Sequence, residues 1–296
     1  MFSLDYLEKL ENKSIYLLRE AYHSFPSLAM LWSVGKDSTV LVKLALKAFF
    51  GHIPFPLVHI DTGFKIPEMI QYRDQLAAEW GLPIIYGKNA QVLDQKQTFP
   101  DGKVSMLQCC KKLKAEALEG VLNGKIDRYR FNHETKQYEI DPDRTPYQAL
   151  ILGIRADEEA SRSKERYFSP RGVENEWNIE NQPMELWGYY QIDFPPKTHM
   201  RIHPLLDWTE LDIWRYIQKE KIPVSPLYFN RGNNQRYRSL GCAPCTFPIA
   251  SSARTVEEII EELATGKLSK IAERSGRAQD TEDRGTLEKL RREGYM

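Results

Sequence analysis

The stretch that most constrains this chain is an apolar run that breaks into a loop of small residues and restarts as a helix. Residues 28–32 (Leu-Ala-Met-Leu-Trp) read as a buried strand. Ser33-Val34-Gly35-Lys36-Asp37-Ser38 follows, after which Val40, Leu41, Leu44, Ala45 and Ala48 recur at helical spacing. A glycine between hydroxyl residues lets the backbone approach an anion, while Lys36 and a helix N-terminus supply positive potential. The expectation is a phosphate cradle built from Ser33, Gly35, Lys36, Asp37 and Ser38. It is not a Walker A loop, because the glycine needed five residues before Gly35 falls on Met30.

A second apolar strand at residues 55–60 ends in Asp61-Thr62-Gly63, and strand–helix–strand at this spacing favours a parallel sheet. The turn lies at a strand's carboxyl end, where open α/β sheets bind ligands. Asp61 is therefore a candidate to position Mg²⁺ or a ligand group, and Gly63 permits close approach; an ordinary turn has the same composition. Residues 84–86 read as a third strand and residues 149–154 (Ala-Leu-Ile-Leu-Gly-Ile) as a fourth. Arg155, Arg162, Lys164 and Arg166 follow the fourth strand, where basic side chains can clamp a phosphate or sulfate; a solvated helix face has the same composition, but the position past a strand end favours the clamp. The fold expected is an open, mainly parallel twisted sheet flanked by helices. Residues 1–220 would form its body, with a hairpin inserted near 127–143, and residues 221–296 a helical and loop extension.

Other stretches carry weaker signals. Residues 4–21 read as an amphipathic opening helix and residues 67–80 as another. Residues 208–217 read as a third, with Thr209 placed as its N-cap. Residues 176–194 have no clear period. Arg231, Arg236 and Arg238, interleaved with Tyr228, Phe229 and Tyr237, suit either a grip on phosphates and bases or a soluble loop. Two closing helices are expected near 256–263 and 287–293. The 41 basic and 41 acidic residues cancel, so a polyanion must be met by a local patch. No membrane span or signal-peptide layout is evident, and a cytoplasmic location is expected.

The chain has four cysteines, as the pairs Cys109-Cys110 and Cys242-Ala243-Pro244-Cys245. Close pairs in a chain this size suggest a metal site in a reducing compartment. Adjacent cysteines suit zinc poorly, since structural zinc prefers spacings of two to four residues. A [4Fe–4S] cube spreads its ligation over four corners and is the preferred reading, with zinc and redox thiols as alternatives.

With these motifs collected, the chain resembles the phosphoadenosine-phosphosulfate reductase and sulfate adenylyltransferase small-subunit superfamily. Residues 33–38 resemble its PP-loop, which implies ATP cleavage between the α and β phosphates, and residues 59–63 its second nucleotide motif. Residues 155–166, 204–217 and the tail from Gly276 to Tyr295 resemble the small subunit of sulfate adenylyltransferase. The cysteine pairs resemble instead the cluster pattern of adenylylsulfate reductases, but the tail lacks the nucleophilic cysteine of those enzymes. A four-cysteine body without that nucleophile is similar to the ATP-pyrophosphatase component of DNA phosphorothioation systems.

The resemblance implies an adenylyl-transferring enzyme that uses ATP, Mg²⁺ and a [4Fe–4S] cluster, with DNA phosphate as acceptor and a cysteine desulfurase as partner. On that reading Lys36, Asp37, Arg155 and Arg162 are catalytic, and Cys109, Cys110, Cys242 and Cys245 hold the cluster. The alternatives are a sulfate adenylyltransferase small subunit working with a GTPase, and a non-catalytic ATP-binding scaffold for a desulfurase.

Overall fold

The computed structural model describes residues 5–172, 176–179, 182–192, 198–269 and 271–274. In chain order the elements are α1 (Tyr6–Ser24), β1 (Leu28–Leu31), α2 (Lys36–Ala48), β2 (Leu57–Ile60), α3 (Pro67–Trp80), β3 (Ile84–Gly87) and α4 (Ala90–Asp94). Next come α5 (Met106–Cys110), a π-helical turn (Lys111–Glu116) and α6 (Ala117–Leu122), which run on from one another. The chain continues through β4 (Arg128–Asn132), β5 (Gln137–Asp141), β6 (Ala149–Ile151), β7 (Phe168–Arg171), β8 (His199–Ile202), α7 (Glu210–Glu220), β9 (Gln235–Arg236), β10 (Ile249–Ala250) and α8 (Val256–Ala264).

Eight strands form one sheet in the order β5-β4-β3-β2-β1-β6-β8-β7. The middle five are parallel, while β4, paired to β3, and β7, paired to β8, run antiparallel to them. The expected mainly parallel sheet is thus observed. The hairpin expected near 127–143 is β4–β5, and it extends the sheet edge. Residues 168–171, with no apolar alternation, supply the opposite edge as β7, a strand type in which proline is tolerated.

Strand residues alternate between two apolar layers, as a pleat requires. Met30, Leu57 and Ile151 pack with α1, α2 and α7, whereas Leu31, Val58, Ile60 and Leu152 pack with α6. Both sheet faces are therefore covered, which explains why the central strands read as unbroken apolar runs.

The site is positioned by the crossovers. From β1 the chain leaves towards β2 on one side, and β6 pairs with β1 on the other. The carboxyl ends of β1 and β6 thus form a topological switch point. Local signals hold the surrounding helices in register. Pro67 opens α3 and Gly81, at φ 60°, closes it. On α7, Thr209 accepts from the Asp212 amide at 3.2 Å while Asp212 accepts from the Thr209 amide at 3.0 Å. The closing helix expected at 256–263 is α8; that expected at 287–293 lies outside the described residues.

Candidate nucleotide site

The expected cradle stands at the N-terminus of α2, with Gly35 as N-cap. Ser33 and Ser38 hydroxyls lie 3.1 Å apart, and the Ser38 hydroxyl donates to the Gly35 carbonyl at 3.1 Å. Val34 adopts φ 68°, a left-handed conformation strained for a β-branched residue, and is buried. Gly153, just past β6, comes so close to the start of α2 that a Cβ there would lie 3.2 Å from Ser38 backbone atoms. Glycine lets the β6 end and the loop meet this closely without displacing the cradle backbone, a constraint that the sequence reading does not carry.

Lys36 is buried beneath the loop among Asp37 (3.3 Å), Glu210 (3.9 Å) and Glu273, which it contacts directly. Burial pushes the ammonium pKa down, but Asp37, Glu273 and Glu210 outweigh it, so the pKa stands above its ordinary value. Arg155 is wholly buried; it pairs with Asp37 and Asp157, each at 2.7 Å, and with Glu273. Arg162 pairs with Glu158, which also takes Arg274 at 3.2 Å. Burial opposes ionisation of Glu158, yet Arg162 and Arg274 hold its pKa below the ordinary carboxylate range.

A cavity of about 150 Å³ opens over this network, lined by Ser33, Gly35, Lys36, Asp37, Ser38, Gly153, Arg162, Glu273 and Arg274, with Lys65 and Lys114 also on its wall. Six of the residues expected at the site therefore line one cavity. Arg155 instead lies behind Asp37 and Glu273. The Asp61 carboxylate accepts from the Gly63 amide at 2.9 Å, closing the turn at the end of β2. Glu210, Glu273 and Arg274 carry no sequence signal for this site, whereas Tyr228 belongs to the stretch read as either a grip on phosphates and bases or a soluble loop. The Tyr228 hydroxyl accepts from the Lys36 amide at 2.8 Å, taking a helix N-terminal donor.

The four cysteines converge. Cys109, Cys110, Cys242 and Cys245 all line one small cavity with Phe64, Pro100, Leu113 and Pro244. It abuts the cavity over the cradle: Lys114 lines both, and Cys242 follows Gly241. Thr62 Oγ1 lies 3.1 Å from Cys242 Sγ, and the Ala243 amide donates to the Phe64 carbonyl at 2.8 Å, tying the Cys242 turn to β2. Burial first, then Cys110 and Cys242, pushes the Cys245 thiol up to about 11. Among the described residues no three His, Cys, Asp or Glu side chains are grouped at single-ion spacing.

A match to the phosphoadenosine phosphosulfate reductase domain spans residues 27–248. The chain belongs to this family. Within it, the chain is 38% identical to the sulfate adenylyltransferase subunit 2 of Rhizobium meliloti (strain 1021), over 98% of this chain and 93% of that protein. It is also 38% identical to the protein of the same name from Shewanella amazonensis, over 99% of this chain and 98% of that one. The FMN adenylyltransferase of Candida glabrata in complex with ATP shares the fold, with TM-score 0.52 and 16% identity over 84% of this chain and 67% of that one. The adenylyltransferase class expected from the sequence is the class named for these relatives.

One expectation is corrected. DNA as acceptor, with phosphorothioation as the process and a cysteine desulfurase as partner, gives way to the sulfate reading, because family members alike over nearly the whole chain are named for sulfate. That expectation gave the cysteines more weight than the body around them. The interior agrees: Arg236 is buried against Glu262 and Arg238 against Glu210, so neither is presented to a polyanion. Tyr228 is likewise buried against Trp214.

Proposed function

We propose that the chain binds ATP over α2 and transfers its adenylyl group to sulfate, acting as one subunit of a sulfate adenylyltransferase whose partner is a GTPase. A sulfate oxygen attacks the α-phosphorus, the bond from that phosphorus to the α–β bridging oxygen breaks, and pyrophosphate leaves. The observation that carries this reading is the buried Lys36 at a helix N-terminus, pressed against the carboxyl end of β6. Chemistry of this kind asks mainly for positioning and charge compensation. Ser33, Gly35 and Ser38 would seat phosphate oxygens. Lys36 and Arg162 would take up charge developing on pyrophosphate, Asp37 would hold Lys36 in place with Arg155 fixing Asp37 from behind, and Asp61 and Gly63 would border the nucleotide. Mg²⁺ would be held chiefly by the phosphates themselves, as is usual for this ion.

Residues 221–296 would act as an extension that completes the body, since they bring Tyr228, Gly241 and Glu273 to the cavity. The test is sulfate-dependent exchange between ATP and pyrophosphate in the presence of the GTPase. Lys36→Met and Asp37→Asn should abolish it with the fold retained. Full exchange in either variant would refute the assignment.

The convergence of four cysteines favours a second element. Cys109, Cys110, Cys242 and Cys245 would hold a [4Fe–4S] cluster. Four thiols gathered in an apolar cavity fit a cluster that spreads ligation over four corners, and the adjacent Cys109-Cys110 pair suits zinc poorly. Such a group supplies a compact, redox-capable anchor beside the nucleotide. Protein purified without oxygen should be brown, with about four iron and four sulfide per chain. A colourless protein carrying one zinc would sink the cluster.

A further inference from the structure

Residues 271–274 form a short strap across the cradle. The Ile271 carbonyl accepts from Arg238 at 2.5 Å, Glu273 pairs with both Lys36 and Arg155, and Arg274 pairs with Glu158 at 3.2 Å. Glu273 thereby lays two carboxylate oxygens across one buried ammonium and one buried guanidinium. That is the bonding pattern of a phosphate group held by the same two cations.

The charge balance makes this contact consequential. Lys36 already faces Asp37, Glu210 and Glu273, and Arg155 faces Asp37, Asp157 and Glu273. A triphosphate added to cations so fully neutralised would meet strong repulsion in a poorly screened interior. One carboxylate must leave. Asp37 is fixed in α2 and Glu210 in α7, and Asp157 accepts from the Glu210 amide at 2.9 Å. Glu273 is carried outside any helix or strand, on a segment held by polar tethers.

We propose that Glu273 is a built-in occupant of the phosphate subsite, and that nucleotide enters only when residues 271–274 lift from the cradle. The strap is an autoinhibitory contact, and it rests on reading the cavity as the nucleotide site. A site closed nine-tenths of the time binds about tenfold more weakly than an open one, so removing the carboxylate should tighten binding by about that factor.

Two measurements on the full chain test it, with inorganic pyrophosphate and the α,β-methylene analogue of ATP as probes. Calorimetry should show Glu273→Ala and Glu273→Gln binding pyrophosphate about tenfold more tightly than the unaltered protein. Hydrogen exchange on the unaltered protein, which needs no variant to fold, should show amides of residues 271–274 exchanging faster once pyrophosphate saturates the site. Equal or weaker binding by folded variants, or strap amides unchanged or slowed by pyrophosphate, would overturn the strap while leaving the nucleotide site intact. Failure of both probes to bind either form would overturn the strap and the nucleotide reading together.

Discussion

Val34 and Lys36 are two residues apart and set opposite problems. At Val34 a β-branched side chain is held at φ 68° while its methyls are buried. At an ordinary position glycine is worse than alanine by roughly 0.5–1 kcal/mol, but at a left-handed position the Cβ itself costs about 1–2 kcal/mol. The ranking should therefore invert: Val34→Gly should be at least as stable as Val34→Ala in urea unfolding, and a clearly less stable glycine variant would contradict the strain. At Lys36 the cost lies in charge. Lys36→Met leaves Asp37, Glu210 and Glu273 without their shared cation, and breaking such a buried set costs about 3–5 kcal/mol. Urea melts should show this loss in addition to the loss of exchange activity. Glu273 supplies the pH dependence. Burial alone would raise its pKa, but Lys36 and Arg155 bring it from 4.5 to about 2. A carboxyl depressed on folding contributes stability that is present above about pH 4.5 and lost as pH falls towards 2. Acid titration of Glu273→Gln should show a shallower loss across that window than the unaltered protein.

Elements differ in how far the sequence announces them. β1, β2, β3 and β6 are buried on both faces, so their apolar runs stand out, and the cradle between β1 and α2 is local in sequence. The chemistry at the far end of the chain is not. Glu273 reaches Lys36 across more than two hundred residues, and nothing in a polar stretch marks one glutamate over another. β7 was missed because an edge strand need not alternate, and Phe168-Ser169-Pro170-Arg171 does not. The charged run from Arg155 to Arg166, which a solvated helix face would also explain, is mostly loop with one short 3₁₀ turn at Arg162–Lys164. Arg155 and Arg162 are buried and paired because the loop folds over the switch point. The contact between β6 and α2 yields the prediction at this scale. Gly153→Ala would drive a methyl to 3.2 Å from the Ser38 backbone, which has no flexible end to move aside. Overpacking of this kind costs about 1–3 kcal/mol, and because the displacement falls on the cradle, exchange activity should drop far more than the circular dichroism signal changes.

In the molecule as a whole, two sites share one wall. The turn after β2, the π-helical segment carrying Lys114 and the loop before Cys242 meet between the proposed nucleotide cavity and the four cysteines. Anything bound by the cysteines therefore fastens three separate parts of the chain beside the cradle, and a group that binds only the folded form stabilises it. Chelation of protein purified without oxygen should lower its melting temperature, and Cys110→Ser should abolish that difference. The paired charges over α2 have a consequence for approach rather than for binding. Fast nucleotide sites usually draw their ligand in through an unbalanced positive field that salt screens. Here the whole chain carries no net charge, and Lys36, Arg155, Arg162 and Arg274 each face a carboxylate at close range. Seen from beyond a Debye length these four pairs largely cancel, so on the proposed function ATP would meet little net steering from them. Stopped-flow association rates should then stay nearly flat as ionic strength rises, with selection made by the opening of the site and not by the speed of encounter.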